Sequence, residues 1–119
     1  VKESNIQKLI QLELSRLGCV AWRNETFKAY SGRVIHKQQD QITLAGSIML
    51  AGGLCVGSSD LIGITPDGLF LAIEVKTKTG RIRPEQTTFI EAVRRAGGRA
   101  GIARCVEDVA PILNGVYDS

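Results

Sequence analysis

A single histidine, His36, stands in the whole chain. Metal or acid–base chemistry built on imidazoles would want more than one nearby, so His36 is read as non-catalytic. Cysteine is also sparse: Cys19, Cys55 and Cys105 are odd in number, far apart and without a CxxC pair. Neither a disulfide framework nor a zinc site is therefore expected, and reduced, buried thiols are. No apolar run approaches the ~18 to 20 residues of a membrane span. With no signal peptide before the first helix, a soluble, cytoplasmic protein is expected. Gly52, Gly53 and Gly57 invite comparison with phosphate-binding loops, but neither GxxxxGK[ST] nor GxGxxG is present, and no nucleotide cofactor is expected. Their expected role is to let the backbone approach closely around Asp60, with Gly57 in a turn.

What is present fits one compact domain over 1–119, since 44% of the residues are apolar and can build a core. The formal net charge of +3 is a mild basic excess, which permits nucleic-acid binding without establishing it.

The stretch from Gly57 to Lys76, GSSDLIGITPDGLFLAIEVK, organises the rest. Thr65, Pro66, Asp67 and Gly68 carry turn chemistry between two apolar runs, which predicts a β-hairpin. In an antiparallel pair the start of one strand lies opposite the end of the next, so Asp60 comes beside Glu74. Strand alternation sends Leu69, Leu71, Ile73 and Val75 to one face and Phe70, Ala72, Glu74 and Lys76 to the other. So apolar a strand is expected to be covered on both sides, where charges need a partner or a metal. Two carboxylates with a backbone carbonyl, that of Val75, make an all-oxygen environment suited to Mg²⁺ or Mn²⁺. A buried Asp/Glu/Lys ion-pair cluster is the competing reading of the same residues.

Asp60 followed by Glu74-Val75-Lys76 across a hairpin is similar to the PD-(D/E)XK nuclease signature. Together with Gly57, a following Gly80 with basic neighbours, and Gln86 near the start of the next helix, the pattern resembles the virus-type replication-repair nuclease (VRR-NUC) family over most of the chain. One departure is Ser59, where the superfamily's name has Pro. The resemblance implies an α/β fold with a mixed central sheet flanked by helices, of αβββαβ type. It implies metal-dependent hydrolysis of phosphodiesters to a 5′-phosphate and a 3′-hydroxyl, with catalytic Asp60, Glu74, Lys76 and Gln86. A Glu on the first helix often approaches the metals in this family, which makes Glu3 a further candidate ligand; the helix dipole alone also favours Glu3 there. A bacterial or phage origin is the family-level expectation.

The remaining chain fills in around this centre. Ile6, Leu9, Ile10, Leu14 and Leu17 recur at helical intervals over residues 2 to 17, with Gly18 as terminator. Cys19 to Trp22 predicts a strand with Trp22 in the core; Arg23 or Asn24 is a candidate phosphate contact at its polar exit. FKAY and RVIH flank Ser31-Gly32 as a second, smaller hairpin, made basic by Lys28, Arg33 and Lys37, a candidate DNA arm or an edge protected by charge. Residues 38–53 read either as a short helix or as loop and strand, and an exposed apolar side there is a candidate dimer surface. Lys78, Arg81 and Arg83 are placed to neutralise phosphates without reading bases. Pro84 suits the first position of a helix to about Ala96, with Gln86, Phe89, Ile90 and Val93 on one face. Gln86 there could hydrogen-bond the site water or steady Lys76. A strand from Arg99 to Cys105 follows, then a short helix limited by Pro111.

The expected activity is structure-selective cleavage of branched DNA, preferably four-way (Holliday) junctions, by a homodimer that presents two active sites. The alternatives are a flap or other nuclease of this fold, a non-catalytic nucleic-acid-binding module, and a small partner-binding domain.

Overall fold

The computed structural model describes residues 2–25, 27–38, 41–52 and 54–117, with strands 27–38 and 41–52 described through their backbone alone. In chain order these are α1 (Glu3–Arg16), β1 (Val20–Arg23), β2 (Phe27–Gln38), β3 (Gln41–Gly52), β4 (Leu61–Ile64), β5 (Phe70–Val75), α2 (Pro84–Arg95) and β6 (Arg99–Ala103). A 3-10 turn at Val106–Asp108 leads into α3 (Val109–Leu113). Four strands form a mixed sheet in the order β1-β4-β5-β6. The first three are antiparallel and β6 joins β5 in parallel, so α2 serves as the crossover.

The alternation expected along β5 builds two cores. Leu71, Ile73 and Val75 meet Ile6, Ile10 and Leu14 of α1 and Val109 and Ile112 of α3. Ala72 and Ala100 meet Ile90 and Val93 of α2 on the other face. The central strand is thus buried on both sides, which explains its almost unbroken apolar sequence. Helix α1 buries a narrower stripe than its sequence suggests. Leu9 is exposed because Ile6, Ile10 and Leu14, one turn apart, already fill the contact with the sheet. Gly18 closes α1 with φ +85, while the Cys19 N–H donates to the Leu14 carbonyl at 2.9 Å.

Three further expectations are corrected. Trp22 is exposed, because β1 is the edge strand of the four-stranded sheet and, among the described residues, no helix covers its face. Among the cysteines only Cys19 is buried; Cys55 and Cys105 lie on loops and are exposed. Residues 41–52 are a strand, and the hairpin does not turn at Ser31-Gly32: pairing runs from Phe27↔Gly52 to Gln38↔Gln41. Gly32 falls at a register shift between Ser31 and Arg33, as a glycine inside a long strand commonly does.

The β2–β3 ribbon is its own two-stranded sheet, separate from the main one. Twelve-residue strands rising ~3.4 Å per residue make an arm about 40 Å long. The whole molecule is correspondingly elongated, 53 × 32 × 26 Å. The side chains of Lys28, Arg33, Lys37 and His36 lie on this arm and outside the described ones.

Between arm and sheet, Gly57 turns with φ +85, and a Cβ placed there would stand 2.4 Å from the Glu85 carbonyl oxygen. This is the close approach expected of it, and it seats the loop before Asp60 on the start of α2. Gly57→Ala combines left-handed strain with that clash, so a loss of about 2 kcal/mol or more is expected in urea unfolding. A loss below about 0.5 kcal/mol, the range of neutral surface changes, would contradict this packing.

Candidate active site

Register brings the two acids together. Leu61 faces Ile73 in the β4–β5 pair, so Asp60 and Glu74, one step beyond, are neighbours. Asp60 Oδ2 accepts the Val75 N–H at 2.8 Å, which ties the start of one strand to the end of the other. Asn24, at the exit of β1, holds the segment leading to Asp60. Its main-chain N–H donates to the Asp60 carbonyl at 2.7 Å, and its Nδ2 donates to Ser58 Oγ at 2.8 Å and the Ser59 carbonyl at 2.9 Å. Ser59 itself is buried, and its hydroxyl has no hydrogen-bond partner among the described residues.

Glu74 is only 2% exposed, yet its carboxylate is not abandoned. Gln86, also buried, donates Nε2 to Glu74 Oε2 at 3.1 Å, and its Oε1 accepts the Arg83 N–H at 2.9 Å. One amide thus caps α2 and orients Glu74 at the same time. Burial is the main reason the Glu74 carboxyl is pushed up to about 8; the charge of Asp60 and a hydrogen bond within its reach add to this. Lys76 opposes the rise, and Glu3 contributes a small further push upward.

These groups open onto a polar cleft of ≈ 340 Å³, lined among others by Gln7, Arg23, Asn24, Asp60, Glu74, Arg83 and Gln86. Asp60, Glu74, Gln86 and Arg83 therefore converge as expected. Gln86 contacts Glu74, not Lys76. Lys76 is partly buried beside the cleft, and its N–H is anchored on the Ala103 carbonyl at 3.1 Å. Glu3 is exposed and does not line the cleft, although its charge reaches Glu74; among the described residues no three His, Cys, Asp or Glu side chains gather as metal ligands do. Arg23 pairs with Glu25 at 2.6 Å, and Arg83 with Glu85 at 3.4 Å, on the cleft's rim. Lys78 and Arg81 are exposed on the loop that follows.

Two contributors escape a reading of the sequence. Gln7 lies one turn after Glu3 on the same helix face, and only the packing of α1 reveals which of the two meets the cleft. Arg104 Nη1 donates to the carbonyls of Thr77, Lys78 and Gly80 at 2.6, 3.3 and 2.9 Å, fixing the loop that carries Lys78. Its one signal is a basic residue directly after the apolar β6.

A mixed sheet with helices on both faces, and a hairpin that sets an aspartate against an ExK triplet, define the core of a PD-(D/E)XK nuclease. The model of the VRR-NUC domain matches residues 2–107, and the chain belongs to that family. It is a nuclease domain of this kind, with DNA as its implied substrate. A solved structure described as a VRR_NUC domain superposes with a TM-score of 0.57 over 97% of each chain at 18% identity, which shows the fold is shared. No curated protein matches the chain. Among the described residues no helix is long and apolar enough to cross a membrane.

The state of Glu74 has a consequence for stability. Between its ordinary value near 4.5 and about 8, the folded protein keeps a proton that the unfolded chain releases. Stability without added metal therefore falls as pH rises through that interval. Urea unfolding in EDTA at pH 5, 6.5 and 8 is expected to show the decline, and Glu74→Gln to remove that component. Identical pH profiles for the two proteins would refute it.

Proposed function

We propose that this nuclease domain is a divalent-metal-dependent endonuclease that cuts branched DNA, with four-way junctions as its preferred substrate, acting as a homodimer. The observation that carries the reading is the meeting of the Asp60 and Glu74 carboxyls in a polar cleft beside Lys76.

The donor set suits a hard cation. One oxygen of each carboxylate is engaged, Asp60 Oδ2 by the Val75 N–H and Glu74 Oε2 by Gln86. The two carboxyls also lie within hydrogen-bond reach of each other, a proton-sharing contact that an ion between them would replace. Two carboxylates and the Val75 carbonyl are few ligands for calcium but enough for Mg²⁺ or Mn²⁺, which keep several waters and bind substrate phosphates directly. Glu3 would need to swing inward to join them. Bound there, the ion would polarise the phosphodiester and lower the pKa of the attacking water.

The chain's own groups supply the rest. Lys76 orients the water and stabilises negative charge growing on the phosphate oxygens. Gln86 fixes the rotamer of Glu74, while Asn24 fixes the segment that presents Asp60. Water adds to phosphorus, the bond to the 3′-oxygen breaks, and the leaving oxygen takes up a proton. We read Arg83, Arg81 and Lys78 as contacts to backbone phosphates, with Lys28, Arg33 and Lys37 of the arm's sequence as further candidates. None of these groups reads a base edge, which favours recognition of shape. A small domain grips a junction poorly alone, and two copies about a two-fold axis would offer two sites for opposed strands.

Labelled four-way junction, flap, single strand and duplex incubated with Mg²⁺, Mn²⁺ or EDTA test the proposal. Cutting is expected to vanish in EDTA and to fall roughly 10³-fold in Asp60→Ala and 10²-fold or more in Lys76→Ala. Cutting that persists in EDTA, or equally in the variants, would overturn the chemistry; a preference for flaps would overturn the junction assignment alone.

A further inference from the structure

The polar cleft sits where β1 ends, β4 begins and β5 ends, between the two helices that cover the sheet. Helix α1 packs on the face of Leu71, Ile73 and Val75, and α2 on that of Ala72 and Ala100. Each helix gives the lining one glutamine, Gln7 from α1 and Gln86 from α2. A DNA strand that enters the cleft to reach Asp60 and Glu74 meets both.

A phosphodiester brought against two carboxylates needs hydrogen-bond donors around its own negative charge. Most donors in the cleft are already engaged. The Asn24 amide nitrogen donates to Ser58 Oγ and the Ser59 carbonyl, and the Gln86 amide is held between Glu74 and the Arg83 N–H. Arg23 and Arg83, at the rim, pair with Glu25 and Glu85. Gln7 differs: it is half-buried, it lines the cleft, and among the described residues its amide has no hydrogen-bond partner. Its backbone is nonetheless fixed, since Ile6 and Ile10 on the same helix are both buried in the core. A side chain presented from so rigid a base can meet a reacting atom reproducibly.

The residue type also bears on the role. Glu3, one turn earlier on the same helix face, does not line the cleft, so what α1 turns toward the acids is a neutral amide and not a third carboxylate. An amide adds donors without adding negative charge, which suits an anion that already faces two acids.

We propose that Gln7 is a catalytic residue whose Nε2 donates a hydrogen bond to a non-bridging oxygen of the phosphate being cut. The inference rests on the metal-dependent nuclease reading above and adds to it a substrate-binding group that acts alongside Lys76. As water adds to phosphorus, negative charge grows on that oxygen and the bond from Gln7 strengthens. The contact therefore lowers the barrier more than it tightens binding.

Single-turnover cutting of labelled branched DNA tests this, with Mn²⁺ uptake and urea unfolding as controls. Gln7→Ala is expected to cut roughly 10²-fold more slowly at saturating enzyme, the usual effect of losing one preorganised donor. Its urea midpoint and its Mn²⁺ uptake without DNA are expected to match those of the native protein. Sulfur placed in turn at each non-bridging oxygen of the mapped cut gives a readout that a merely structural role would not move. One stereoisomer is expected to slow the native enzyme in Mg²⁺ with no relief by Mn²⁺, and to carry no such penalty in Gln7→Ala. Gln7→Glu, nearly the same in shape, is expected to cut no faster than Gln7→Ala, because it replaces the donor by a charge that repels phosphate. Native-rate cutting by Gln7→Ala, or a sulfur penalty that the substitution leaves unchanged, would overturn the role of Gln7 and leave the nuclease reading standing. An active Gln7→Glu that takes up Mn²⁺ more tightly would make the residue a metal ligand and overturn its assignment as a donor. A native chain that cuts no branched DNA with either metal would overturn both.

Discussion

The hydrogen bond from the Val75 amide to the Asp60 carboxylate is the constraint on which the rest of the site depends. It fixes where β4 begins relative to where β5 ends, and a slip of one residue would send Asp60 to the opposite face. Everything around it defends that register: a tight turn at Thr65 to Gly68, the Asn24 clamp on residues 58–60, and Gly57 pressed against the start of α2. Strand β5 is buried on both faces, so its register is also fixed by two separate cores. A side chain carried by such a strand is held in one orientation, as the proposed metal chemistry would need.

The cost of that rigidity is electrostatic. Glu74 sits where water scarcely reaches, next to another carboxyl, and its proton is held to about 8 as a result. Burial dominates, and Lys76 offsets only part of it. A divalent cation between the two acids would reverse the balance by supplying the missing opposite charge, releasing the proton as it binds. Gln86 suits both conditions. Its amide donates to Glu74 whether or not the acid is ionised, and its carbonyl end is already committed to the N-terminus of α2. The same helix thus covers one core and orients the Glu74 carboxyl, so packing and the geometry of the site cannot be separated there.

How much of this was legible depends on the range of the interactions. The hairpin, the opposition of Asp60 and Glu74, and the face of α2 that carries Gln86 were readable because each follows from a local period and a turn. Trp22 reads as core because its strand looks apolar, and nothing local says that β1 ends the sheet. Residues 38–53 were obscure for a related reason: Ile42, Leu44, Ile48, Met49 and Leu50 follow neither a clean alternation nor a helical stripe, and two register shifts break the period. Gln7 and Arg104 were missed because their roles depend on how distant elements dock. The contact partner of Gln86 is likewise set by tertiary packing, which brought it to Glu74 and not to Lys76.

The central claim, that the hairpin gathers Asp60 and Glu74 to hold a divalent cation, is tested most directly by Mn²⁺ titration followed by electron paramagnetic resonance, without DNA. The native chain is expected to take up Mn²⁺, with Asp60→Asn and Glu74→Gln each weakening uptake at least tenfold while the protein remains folded. Uptake that survives both substitutions, or none by the native chain at millimolar Mn²⁺ and pH 8, would contradict the account.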